Sequence, residues 1–227
     1  MALKAILKKN GMCIGVGDEG GFVPRLKKNT DAFELMLKAI NIAGFTPGVD
    51  VGLSIDVAAS EFYDKKTGKY LFRLDGKKLS LEATIKLYST WIDKYKLISV
   101  EDPLDENDWA AWSLATKEFG RKAMVVGDDL FTTNEERLTE GIKNRAANAI
   151  IIKYNQIGTI TEAAATASFA KAHGYRIVVS HRSGETCDDF VADFAVALNA
   201  EFVKFGAPGR ERIAKYNRLM KIESELS

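Results

Sequence analysis

Six short apolar runs, each followed by a stretch with helical spacing, limit this chain to very few architectures. The runs are Val51–Val57, Leu97–Val100, Met124–Gly127, Ala149–Ile152, Arg176–Ser180 and Glu201–Phe205. Several are apolar throughout, such as AIII and IVV, which suits strands buried on both faces of a parallel sheet. The intervening stretches carry helix signals. Thr30–Ala43 opens at Thr30 or Asp31 and ends at Gly44. Ser80 caps a stretch that aligns Leu81, Ile85 and Tyr88. Trp109–Phe119 opens at Asn107 or Asp108 and stops at Gly120. Thr133–Ile142, Thr159–His173 and Glu185–Asn199 follow the same plan, and Arg210–Leu226 reads as a closing helix with a charged outer face. Between Ala59 and Ser80 lies an irregular excursion that turns at Gly68 and Gly76, with Tyr70–Leu74 as a short hairpin strand. This alternation means α/β. With no linker to divide it, the chain reads as one domain, residues 1–227.

The polar residues that close the runs are Asp56, Glu101, Asp128, Lys153, His181 and Lys204, and all are ionisable. From Glu101 onward they are spaced by 27, 25, 28 and 23 residues, the length of one strand–helix unit. One charged residue after one strand is usually a loop residue or a helix cap. Six in succession favour a barrel of the (β/α)8 type, in which strand ends supply the chemistry around a common centre.

Asp56, Glu101 and Asp128 would then be neighbours around the ring. Three carboxylates without His or Cys form a hard oxygen site suited to Mg²⁺. They repel one another unless a cation sits among them. Lys153, one strand further, is a candidate general base, since a nearby cation favours its neutral amine. Lys204 reads as an electrostatic clamp. His181, Arg182 and Ser183, placed just before the expected helix from Glu185, form a candidate cradle for phosphate or carboxylate. The Gly17-Asp18-Glu19-Gly20-Gly21 loop lets backbone approach a ligand closely, and Glu19 is its candidate general acid. His173, at a helix end before Gly174, reads as a helix-terminus cation, and Trp91, Trp109 and Trp112 as packing residues.

Charge removes other classes. The 32 basic and 31 acidic side chains leave +1, with no like-charge block, so an electrostatic grip on nucleic acid or anionic membrane has no basis. No apolar run approaches the roughly 20 residues of a membrane span. Met1–Asn10 lacks the apolar core of a signal peptide. Cys13 and Cys187 make neither a disulfide framework nor a thiolate zinc site, and a reducing, cytoplasmic setting is the expectation.

The motifs GDEGGF (17–22), SIDVAASEFY (54–63), SVEDPLDENDW (99–109), VVGDDLFTTN (125–134), IIIKYNQIGTITEA (150–163), VVSHRSGET (178–186) and AKYNRLMKIESEL (214–226) together resemble the enolases, or phosphopyruvate hydratases. The resemblance covers essentially the whole chain. It implies an α/β enolase barrel that is incomplete, with about six βα units present and with the first two strands and an N-terminal α+β domain absent. It also implies Mg²⁺-dependent, reversible dehydration of 2-phosphoglycerate to phosphoenolpyruvate, in glycolysis and gluconeogenesis. Asp56, Glu101 and Asp128 match metal ligands, Lys153 the base and Glu19 the acid. His181, Arg182, Ser183 and Lys204 match substrate contacts. The family further implies a homodimer for the complete protein, and for some members display at the cell surface. The chain on its own is expected to be impaired and prone to associate through open strand edges. The alternative is a non-catalytic enolase fragment acting only as a binding or structural module.

Overall fold

The apolar runs form strands, and the polar residues that close them stand at or just beyond the strand ends. A computed structural model describes residues Met1–Ser227. By main-chain packing it comprises two units. The first is made of Met1–Gly15, Val23–Leu130 and Asn144–Asn148; the second of Val16–Phe22, Phe131–Lys143 and Ala149–Ser227.

In the first unit, helices α1 (Ala2–Lys9) and α2 (Thr30–Ile42) precede strand β1 (Leu53–Asp56). Then come three short strands, β2 (Tyr63–Asp64), β3 (Lys69–Phe72) and β4 (Lys77–Leu79), followed by α3 (Leu81–Tyr95), β5 (Leu97–Glu101), α4 (Trp109–Phe119) and β6 (Met124–Gly127). β5 pairs in parallel with β1 on one side and β6 on the other. The excursion is a small antiparallel sheet, β2–β3–β4, and its central strand ends at Phe72 rather than Leu74. Gly68 and Gly76 turn the chain at φ +65° and +64°, where a side chain would be strained. The Tyr70 hydroxyl accepts the Asp105 N–H at 3.1 Å, which ties this sheet to the segment after β5.

The helix starts follow from capping. Ser80 Oγ accepts the Ala83 N–H, and Asp108 Oδ1 accepts that of Ala111 at 3.0 Å. Trp91 and Trp112 are buried, and the Trp112 indole N–H donates to the Asp105 carbonyl.

The second unit contains α5 (Glu135–Asn144), β7 (Ala149–Ile152), α6 (Ile160–Ala172), β8 (Arg176–Ser180), α7 (Phe190–Ala197), β9 (Phe202–Lys204) and α8 (Ile213–Leu226). β8 lies between β7 and β9, all parallel. Every residue of β7 is buried, as its continuous apolar sequence requires. His173 closes α6, and its Nδ1 donates to the Phe169 carbonyl at 2.9 Å, the helix-terminus role expected of it.

Three further expectations need correction. The helix expected from Thr133 begins at Glu135: Thr133 has φ +56°, and Asn134 supplies the cap through Oδ1 to the Arg137 N–H. The helix expected over Glu185–Asn199 spans only Phe190–Ala197, so Ser183 does not sit at its N-terminus and the cradle gains no dipole from it. The closing helix keeps Lys221, Glu223 and Glu225 exposed, as a charged outer face requires, but two of its charges turn inward. Arg212 and Lys215 are buried, because their head groups find carbonyl and carboxylate partners within the unit.

Candidate functional site

In the first unit the parallel register sets Asp56 directly beside Glu101, so both carboxylates leave the same face at adjacent strand ends. Asp56, Glu101 and Asp102 each place a carboxylate oxygen within 4.8 Å of the others. Glu101 and Asp102 are buried. Asp102 has φ +41°, an unusual backbone for a residue with a side chain. Its two oxygens accept the main-chain N–H groups of Asp128 at 3.0 Å and Asp129 at 2.9 Å. Burial pushes the Asp102 carboxyl up to about 7, against the pull of those two donors. Asp102 therefore anchors the turn after β6, where buried Asp128 sits.

Asp102 is not among the residues that close the apolar runs. Its signal was the Glu-Asp-Pro run, in which a second acid follows a strand end with no helix to cap. The donors are oxygen only, buried at Glu101 and Asp102 and exposed at Asp56, and such a set fits a hard divalent cation; Asp102 rather than Asp128 is the third member of the group. A cavity of about 390 Å³ with Phe33, Phe62, Phe72 and Trp91 in its wall reaches Asp56.

In the second unit three remote segments meet at Glu19. The loop that carries it is closed by the Val16–Phe22 bridge and by the Gly17 N–H donating to the Gly21 carbonyl. The Ser183 hydroxyl donates to Glu19 Oε1 at 2.9 Å, and His181 Nε2 lies 3.3 Å from Oε2. The Ala207 N–H donates to the Glu19 carbonyl at 2.9 Å. Burial raises the Glu19 carboxyl, but the Ser183 hydroxyl, His181 and Lys204 outweigh it and hold the group below the usual carboxylate range. Burial lowers His181 in turn, against the pull of Glu19. At neutral pH the pair is a carboxylate beside a neutral imidazole.

Ser180 lies level with Lys204 across β8 and β9, and the His181 N–H donates to the Lys204 carbonyl at 3.0 Å. Arg182 reaches the Asn155 carbonyl at 3.4 Å rather than Glu19.

Lys153 follows β7 directly. Its main-chain N–H donates to Thr133 Oγ1 at 3.0 Å, and Thr133 is fully buried. The strained backbone of Thr133 thus holds the end of β7. Thr133→Val leaves that N–H without its acceptor and is expected to lower stability by about 1–3 kcal/mol. Urea denaturation of the variant checks this.

No helix is long and apolar enough to cross a membrane. The sequence matches the family model for the enolase C-terminal TIM barrel domain over residues 1–227. Six parallel strands with intervening helices meet the expectation of an α/β barrel with six of its eight βα units in the chain. The order of those units, the acidic strand ends and a match over the full length all agree, and the chain belongs to the enolase family as its C-terminal TIM barrel domain.

Proposed function

We propose that the chain carries the chemistry of a carbon–oxygen lyase, the Mg²⁺-dependent, reversible dehydration of 2-phosphoglycerate to phosphoenolpyruvate. The observation that carries this reading is the convergence of residues 17–21, 180–183 and 204–207 on one residue, Glu19, whose carboxylate meets Ser183 and His181.

In this reading Lys153 takes the proton from the carbon next to the substrate carboxylate, and the electron pair of that bond moves onto the carboxylate. That pair then returns to form the carbon–carbon double bond as the bond from the adjacent carbon to its hydroxyl breaks, and Glu19 delivers the proton that makes the leaving group water. Asp56, Glu101 and Asp128 would hold Mg²⁺, which supplies positive charge where negative charge develops.

Glu19 must be protonated to act as the acid, yet it is an anion in the free chain. A substrate with two anionic groups resolves this. Its phosphate and carboxylate draw on Arg182 and on Ser183, His181 and Lys204, the three groups that hold the Glu19 carboxyl low. Released from them, and closer to a new negative charge, the carboxyl binds its proton more tightly.

The test is turnover of 2-phosphoglycerate by the purified chain, followed through the ultraviolet absorbance of the enol product, with Mg²⁺ and with EDTA. Mg²⁺-dependent product formation, slow because the chain on its own is impaired, is the expected result. A soluble, folded chain that makes none favours the binding-module alternative.

A further inference from the structure

Arg212, immediately before α8, and Lys215, in its first turn, are two cations for which the proposed chemistry has no use. Arg212 and Lys215 are 1% and 0% exposed. Lys215 Nζ donates to the carbonyls of Thr186 at 2.9 Å and Asp188 at 2.8 Å, and pairs with Glu185. Arg212 Nη2 donates to the Ser183 carbonyl at 2.7 Å, and Nη1 pairs with Glu211.

The carbonyls they grip lie along residues 183–188, a loop that belongs to no helix or strand. The same turn also braces the segment after β9. The Tyr216 hydroxyl donates to the Gly206 carbonyl. A Cβ on Gly206 would come within 2.7 Å of Arg212 Cδ and 2.8 Å of the Glu19 carbonyl oxygen, so only glycine fits between them.

Burying a cation is costly, and apolar residues of similar volume often serve stability as well or better. Two buried cations aimed at loop carbonyls offer what apolar residues cannot, a fixed main-chain path. That path sets where the Ser183 hydroxyl lies, and Ser183 holds the Glu19 carboxylate.

We propose that Arg212 and Lys215 are positioning residues that clamp the 183–188 loop and so orient Ser183 on Glu19. The inference rests on the reading of Glu19 as the acid only for its effect on turnover, not for its effect on the loop.

Arg212→Met and Lys215→Met in the full chain are compared with the parent, with Arg212→Lys and with Lys153→Ala. Hydrogen exchange of residues 183–189 is read against that of β7. In both methionine variants the loop is expected to exchange about tenfold faster or more while β7 keeps its protection. Turnover should fall about 10- to 100-fold through kcat with little change in KM, because acid and substrate are misplaced rather than missing. Arg212→Lys, which keeps a cation at the site, should recover part of both.

Lys153→Ala should lose turnover and keep the loop protected, so failure of the dehydratase reading leaves the exchange result to decide the clamp. Unchanged loop exchange in both methionine variants overturns the proposal. So does faster exchange spread equally through β7 and the loop in every variant, Arg212→Lys included, which would make the two cations general supports of the fold.

Discussion

Replacing Lys153 by alanine is expected to lower turnover of 2-phosphoglycerate by about 10²–10⁴-fold, the usual contribution of a positioned acid or base. The expectation has a structural control built in. Lys153 stands one residue beyond β7, and its main-chain N–H donates to Thr133, a bond that alanine keeps. Its side chain is only half-buried, so truncation removes no core volume. The thermal transition should therefore move little while the rate collapses. A variant that melts like the parent and still turns over at a comparable rate would remove Lys153 from the mechanism.

The second large effect concerns the metal. Addition of Mg²⁺ at about 100 times its dissociation constant stabilises a folded chain by about 2.7 kcal/mol. In a chain of this size that corresponds to a rise in Tm of about 5–10 °C. Glu101→Gln is expected to remove most of this rise. Glutamine keeps the volume and one acceptor oxygen, but it withdraws a charge from the crowded pair that the register sets side by side, Asp56 and Glu101. Thermal melts with and without Mg²⁺ read the effect with no dependence on turnover. A variant that gains as much from Mg²⁺ as the parent would move the metal away from Glu101.

Asp102 bears on the same cluster from behind. Its carboxylate is occupied by the N–H groups of Asp128 and Asp129, so it shapes the turn that carries Asp128. An acidic cluster read by proximity alone would merge the two roles. The hydrogen bonds separate them.

The strands were legible where burial on both faces forces an unbroken apolar run. Met124–Gly127, Ala149–Ile152 and Arg176–Ser180 are strands over the residues that the sequence marks. Helix starts were legible where a local cap exists, as at Ser80, Asp108 and Thr159. The helices start later than the sequence suggests at Thr133 and Glu185, where the first expected residue has a tertiary partner instead. Thr133 turns its hydroxyl to the Lys153 N–H, and Glu185 pairs with Lys215.

The sequence by itself determined the α/β order of the chain and which ionisable residues close its strands. Both depend on residues within one strand–helix unit, where hydrophobic period and chain direction leave little choice. Only the tertiary structure decided that Ser183 meets Glu19 across 164 residues, that Asp102 supports Asp128, and that Arg212 and Lys215 turn inward. A charged residue in an amphipathic pattern is read as solvent-facing because burial of an unpaired charge is prohibitive. The partners that lift the penalty lie on other segments, and folding alone brings them within reach.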